Sequence, residues 1–399
     1  MGYLKGNAVI GQSGGPTAVI NQSLVGCLDG LRGVSQVPKI LGARHAVRGI
    51  IQDDFIDLTS RPRDFLERLA LTPAAALGSS RDKPDAAYCQ KIFAALERHD
   101  VRYFFYIGGN DSSDTCRIVS EVAQSKGYDL RAFHVPKTID NDLVLNDHTP
   151  GFGSAARFVA CAFMGDNLDN KALPGIKINV VMGRHAGFLT AASYLARQRP
   201  GDGPHLIYVP EAAFDATRFI SDVERTYQEH GRCLIAVSEG IHDAAGTPIA
   251  TQLAQQVERD AHGNVQLSGT GALGDFLVRH VKEQLEPRLG KLRVRADTFG
   301  YVQRCFAGCV SPVDQQEARE AGRVAAQLAV QGAESGSITI RRTSNQPYAV
   351  SYERVALADV AAKTRTLPRE YIVNGSDIAP SFRDYILPLV GELPTIEQF

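Results

Sequence analysis

The stretch that most constrains this chain runs from Arg102 to Ile107 (RYFFYI), an apolar strand pattern halted by Gly108-Gly109. A helical pattern follows at about Ser113 to Ser125, with Ile118, Val119 and Val122 on one face. The same succession recurs along most of the length. Asn7 to Ile10, Arg131 to Val135, Ile176 to Met182, His205 to Val209 and Cys233 to Val237 are strand patterns, separated by helix-length amphipathic segments. One such segment carries Phe158, Val159, Ala162 and Phe163; another is capped by Asp215 and terminated by Gly231. Strands alternating with helices imply parallel sheets covered on both faces. In such sheets ligands bind beyond the carboxyl ends of the strands. Polar clusters, most of them glycine-bearing, stand at those ends: GQSGGPT at 11–17, GGNDSSD at 108–114, PKTIDND at 136–142, MGRHAG at 182–187 and SEG at 238–240.

Composition narrows the class. With 399 residues the chain is long enough for two or three domains, each with its own core. An apolar content of 44% excludes a disordered chain, and no apolar stretch approaches the ~18 residues of a membrane-spanning helix. The N-terminus lacks the apolar core of a signal peptide, so a soluble, cytoplasmic protein with no membrane partner is expected. With 43 basic and 44 acidic residues, the net charge of −1 argues against nucleic acid as a partner. Seven scattered cysteines fit reduced thiols better than a disulfide framework, and Cys305 and Cys309 lack the further ligands of a zinc site. The domain boundaries expected from the pattern lie near Pro150-Gly151 and around Phe299.

Each cluster has a plain and a chemical reading. Gly11–Thr17 is an ordinary strand-to-helix turn, or a place where backbone amides approach a phosphate. It is neither a dinucleotide fingerprint nor a P-loop. Gly108–Ser113 repeats the arrangement, with Ser112 or Ser113 as a helix cap or phosphate ligand; a turn alone does not account for Asp111. In Pro136–Asp142 an Asp-Asn-Asp turn is the economical explanation. Phosphoryl transfer to an alcohol nevertheless needs a carboxylate to take the hydroxyl proton and a cation beside the moving group, and Lys137 and Asp140 offer both. Arg81, Arg184 and Arg304 are each ordinary surface arginines or phosphate ligands placed beside glycine-rich loops.

Taken in order, GQSGGPT, LGSSR (Leu77–Arg81), PKTIDND, MGRHAG, SEG and GYVQR (ending at Arg304) resemble the phosphofructokinase family. The resemblance implies an α/β protein of two Rossmann-like three-layer domains with mostly parallel sheets and the active site in the cleft between them. Residues 1–150 plus about 299–345 would bind the phosphoryl donor, and 151–298 plus about 346–399 the sugar phosphate. It implies magnesium-assisted transfer to the 1-hydroxyl of fructose 6-phosphate, with Asp140 as general base and Thr138 and Ile139 beside the substrate. Gly14, Gly15, Gly109, Ser112 and Lys137 would meet the donor, and Arg81 and Arg184 would neutralise transition-state charge. Met182, Gly183 and Glu239 would line the sugar site, Tyr301 and Arg304 would grip the 6-phosphate, and Arg295 would reach a neighbouring subunit's site in a homodimer or homotetramer.

Asp111 stands where ATP-using members of the family usually carry glycine. Its carboxylate would crowd and repel the nucleoside end of ATP but not the shorter pyrophosphate, and Lys137 suits a compact anion. The resemblance is therefore to the pyrophosphate-dependent branch, whose reaction is reversible. The branch usually has aspartate where Asn110 stands, so this chain meets the metal with a weaker amide oxygen. An ATP-dependent kinase of the same fold and a non-catalytic phosphosugar-binding regulator are the rival expectations.

Overall fold

The structure is a computed structural model that describes residues 4–253 and 271–397. In chain order its main strands are β1 (Asn7–Gln12), β2 (Ile40–Ala43), β3 (Phe55–Asp57), β4 (Val101–Gly108), β5 (Arg131–Pro136) and β6 (Ile176–Val181). They continue with β7 (Leu206–Tyr208), β8 (Cys233–Ser238), β9 (Val294–Thr298), β10 (Gly336–Asn345) and β11 (Tyr348–Val355). The chain divides into two compact units: Met1–Ser154 with Arg304–Arg365, and Ala155–Gln303 with Thr366–Phe399.

Unit 1 is built on a seven-stranded sheet of order β11-β10-β5-β4-β1-β2-β3. Its centre is parallel, and β3 and β11 close the edges in antiparallel fashion. The run in β4 explains the layering. Tyr103, Phe105 and Ile107 join one core with Leu24, Leu28 and Ala325. Phe104 and Tyr106 join the opposite core with Ile92, Phe93 and Val119. Successive strand side chains point to opposite faces, so a strand apolar at every position needs cover on both sides. On the first face helix Ile20–Leu31 packs against helix Pro312–Val330, with backbone meeting backbone at two glycines. A Cβ on Gly26 would stand 1.9 Å from the Arg319 carbonyl oxygen, and one on Gly322 2.2 Å from that of Ser23.

Unit 2 carries a four-stranded, wholly parallel sheet of order β7-β8-β6-β9. Helix Ala216–His230 covers it with Phe219, Ile220 and Val223. The Asp215 side chain accepts from the Thr217 and Arg218 amides, and Gly231 ends the helix at φ 67°. Both terminators are those the sequence signals.

The last crossover differs from expectation. The chain stays in unit 1 through Arg365, well past residue 345. The reason is the β10–β11 hairpin, in which β10 pairs with β5 at Gly336 and with β11 along nearly its whole length. A boundary at 345 would cut that ladder at its turn. Among the described residues no helix is long and apolar enough to cross a membrane.

The helix–helix contact yields a stability prediction. Gly26→Val forces backbone apart and is expected to lower the unfolding free energy by roughly 1–3 kcal/mol, the usual cost of overpacking. A urea titration of parent and variant checks it, and an unchanged midpoint would show that the helices separate freely.

Candidate active site

In unit 1 the loops after β1, β4 and β5 lie together because their strands are neighbours in the sheet. The loop after β1 is stitched to Gly78–Arg81: the Gly14 amide donates to Ser80 O at 2.9 Å, and Ser79 Oγ donates to Gly14 O at 2.6 Å. Gly14 sits at φ +75°, which favours glycine, and a Cβ there would lie 3.2 Å from Lys137 Nζ. That ammonium is buried and donates to Gly15 O at 2.7 Å. The Arg304 guanidinium lies over Gly15, where a Cβ would be 3.1 Å from its central carbon. Burial pushes the Lys137 pKa down to about 8, and the nearby Arg304 adds to the shift while Asp140 and Asp142 oppose it. Two glycines, a buried lysine and a guanidinium thus form a pocket edge with bare backbone and positive charge, suited to a phosphate.

Helix Asn110–Ser125 has Gly109 at its N-cap and begins three residues ahead of the start expected from its pattern. Neither serine caps it, which corrects that part of the sequence reading. Ser113 Oγ donates back to Asn110 O at 2.7 Å, and Ser112 Oγ donates to Ser13 Oγ at 3.0 Å, joining the loops after β4 and β1. Gly109, in extended backbone, supplies the carbonyl that starts the helix. Asp111 is exposed in the first turn, where the helix dipole favours a carboxylate, and pairs with Lys83 Nζ at 3.2 Å. An acid therefore already occupies the anion-attracting end of this helix.

The loop after β5 holds the two carboxylates. The Thr138 amide donates to Pro150 O at 3.1 Å, and the Asp140 amide donates to Thr138 Oγ1 at 3.1 Å. Ile139 is buried beneath. Asn110 Nδ2 donates to Asp142 Oδ2 at 3.1 Å, while Asn110 Oδ1 is buried with no hydrogen-bond partner. Burial, and after it the Asp140 charge, raises the Asp142 pKa to about 7. An orphaned amide oxygen beside two mutually repelling carboxylates fits a hard divalent cation such as magnesium. Among the described residues no cluster of three or more His, Cys, Asp or Glu side chains could hold a metal alone. The oxygens present suit a cation that arrives with most of its shell supplied by phosphate and water.

Unit 2 assembles the other predicted residues at the ends of β6 and β8. Gly183 adopts φ +139°, and its carbonyl accepts from Ser238 Oγ at 2.5 Å. Gly240 lies so close to Arg184 that a Cβ would be 2.0 Å from the arginine's carbonyl oxygen. Met182 and Glu239 are buried, with the Glu239 amide bonded to Val181 O at 2.9 Å. Arg295, on β9, and Tyr301 are both exposed.

The structure groups Arg304 with Gly15 and Lys137 in unit 1, whereas Tyr301 belongs to unit 2. Two contributors were not legible as such. Lys83 is the ion-pair partner of Asp111, its only sequence signal a lysine just beyond LGSSR. Gln303, inside GYVQR, is buried and accepts the Met182 amide through Oε1 at 3.3 Å.

Parallel sheets with glycine-lined, cationic loops at their strand ends define an α/β protein that handles phosphorylated ligands. The chain matches the phosphofructokinase family over residues 7–329, and it belongs to that family. It is 60% identical over 388 residues to a pyrophosphate–fructose 6-phosphate 1-phosphotransferase of Rhodospirillum rubrum, spanning 97% of this chain and 95% of that one. A protein of the same name from Halomonas elongata is 36% identical over 395 residues, with 96% and 91% covered. The crystal structure of a pyrophosphate-dependent phosphofructokinase from Marinobacter aquaeolei superposes with a TM-score of 0.85 at 32% identity, covering 98% of this chain and 94% of that one.

A pH dependence follows from Lys137. Its folded pKa lies below the ordinary lysine value, at about 8, so the ammonium is present at pH 7 and lost as pH rises to 9. Binding of methylenediphosphonate, measured by calorimetry, should be tighter for the parent than for Lys137→Met at pH 7. The gap should narrow toward pH 9; a constant gap would show that the lysine stays charged.

Proposed function

We propose that this protein transfers a phosphoryl group reversibly from pyrophosphate to the 1-hydroxyl of fructose 6-phosphate, giving fructose 1,6-bisphosphate and orthophosphate. The observation that carries the donor assignment is Asp111 in the first turn of helix Asn110–Ser125, paired with Lys83. A nucleoside extending past the second phosphate would have to meet this acid and displace its partner. A donor of two phosphates ends short of it.

In this reading the carboxylate of Asp140 takes the proton from the 1-hydroxyl as that oxygen bonds to phosphorus. The bridging P–O bond of pyrophosphate breaks and orthophosphate leaves. Lys137 and Arg81 neutralise the charge on the moving group, Gly14 and Gly15 let the donor approach backbone, and Gly109 and Ser112 border it. Arg304 is assigned to the phosphate-facing loops, and Arg184 to the charge of the transferring group. Thr138 and Ile139 flank the acceptor; Met182, Gly183 and Glu239 contact the sugar. Magnesium, when bound, supplies charge neutralisation at the phosphates, and Asn110 Oδ1 with Asp142 are the protein oxygens that would hold it. Arg295 and Tyr301 are exposed, and we assign Tyr301 to the 6-phosphate and Arg295 to the sugar site of a neighbouring subunit in a homo-oligomer. We assign the enzyme to the cytoplasm, where its sugar phosphates are made and used.

Purified protein with magnesium should turn over fructose 6-phosphate with pyrophosphate, and the reverse reaction should run with orthophosphate. ATP should support no turnover; activity with ATP alone would reverse the donor assignment. Asp140→Asn should lower kcat by about 10²–10⁴-fold, the range for a general base, while fructose 6-phosphate still binds. Asp111→Gly combined with Lys137→Gly should admit ATP to a measurable degree. A double variant as closed to ATP as the parent would mean that something other than crowding selects the donor.

A further inference from the structure

The sequence suggests no chemistry for the region after about Gly336, yet it contributes the residue most closely tied to the Asp140 loop. Arg365 is the last residue of unit 1. Its Nε donates to Asn141 O at 2.9 Å, Nη1 to Asn146 O at 2.5 Å and Nη2 to Asp147 O at 2.6 Å. Its backbone amide donates to Asp142 O at 2.8 Å. One residue therefore closes both ends of the loop that leaves Asp140.

The loop needs such closure. Asn141 and Leu145 adopt φ values of 59° and 60°, in the left-handed region that asparagine tolerates but that a leucine side chain disfavours by about 1–2 kcal/mol. Conformations of this kind persist where their surroundings over-determine them. The far end of the loop is fixed to β10: the Asp147 amide donates to Ile340 O at 2.8 Å, and Asn146 Oδ1 accepts the Ile340 amide at 2.9 Å. Arg365 carries that fixity back to Asn141 and Asp142, the two residues directly after Asp140. Its fork reaches three carbonyls at once; a lysine ammonium on its flexible stem is a point charge without that geometry. The next anchor on the chain belongs to unit 2, where the Leu367 amide donates to Glu211 Oε1 at 2.7 Å and the same oxygen accepts the Gly187 amide of MGRHAG at 2.8 Å.

We propose that Arg365 is a positioning residue for phosphoryl transfer: its three-point grip on the Asn141, Asn146 and Asp147 carbonyls fixes the direction of the Asp140 carboxylate. This rests on the role assigned above to Asp140. The grip touches neither donor nor sugar and acts through the loop of Asp140 and Asp142, so its loss should appear in kcat and leave both KM values near the parent's.

The test compares the parent, Arg365→Lys and Arg365→Ala in the pyrophosphate assay, with thermal midpoints measured alongside. Arg365→Lys should lower kcat by about 100-fold, the effect of misplacing a reacting group by about 1 Å, with both KM values near the parent's and the midpoint little changed. Millimolar methylguanidinium should restore part of the activity of Arg365→Ala. A kcat for Arg365→Lys close to the parent's would overturn the proposal, as would a loss of activity that follows the thermal midpoint and ignores methylguanidinium. If Arg365→Ala does not fold, Arg365→Lys decides alone. If the parent itself shows no turnover with either donor, the functional reading fails, and hydrogen exchange decides the grip. Amides 141–147 should exchange at least tenfold faster in Arg365→Lys than in the parent, and equal protection would refute it.

Discussion

The hydrogen bond from the buried Lys137 ammonium to the Gly15 carbonyl is the interaction on which the rest of unit 1's site depends. An ammonium withdrawn from water is costly unless paired. Here its neighbours include a second cation, Arg304, and the carboxylates of the following loop. One neutral carbonyl satisfies one of its three donors. The adjoining glycines leave backbone bare beside the ammonium, a setting suited to an anion. The same bond ties the loop after β1 to the loop after β5, so charge and geometry are set by one contact.

The sheet makes that contact possible. β4 lies between β1 and β5, all three parallel, so the loops at their carboxyl ends emerge side by side. The loops are then joined by short polar contacts: Gly14 with Ser79 and Ser80, Ser112 with Ser13, Asn110 with Asp142. Unit 2 repeats the logic on a smaller sheet, where the glycines at 183 and 240 let the ends of β6 and β8 approach within contact distance. Helices on both faces keep the strands apolar and leave only these ends free for chemistry.

Asp111, the residue to which we assign the choice of donor, sits in a particular setting. A lone exposed carboxylate is easily turned aside. One held in the first turn of a helix and paired with Lys83 presents a filled position instead of a single negative charge. The pair is exposed on both sides, so its stabilising effect is small. The consequence we assign to it is steric and local: the pair fills space at the start of helix Asn110–Ser125.

Local chemistry was legible in the amino-acid order. RYFFYI could only be a strand covered on both faces, Asp215 and Gly231 bounded their helix, and the polar clusters had to follow strands because glycine and the short polar residues end them. Those signals depend on neighbours within a few residues, which is where backbone preference and periodicity act. Contacts between distant segments were another matter. Nothing near Arg365 marks it as the grip on residues 141–147, since the partners are main-chain carbonyls more than 200 positions away and carry no side-chain signature. Arg304 stands three residues after Tyr301, and only the fold lays its guanidinium over Gly15; Lys83 meets Asp111 because the start of a helix is packed against it. The chain's order decided which strands, turns and charged groups exist; packing those strands side by side decided which of the charged groups meet, because that depends on sheet order and on backbone atoms identical in every residue.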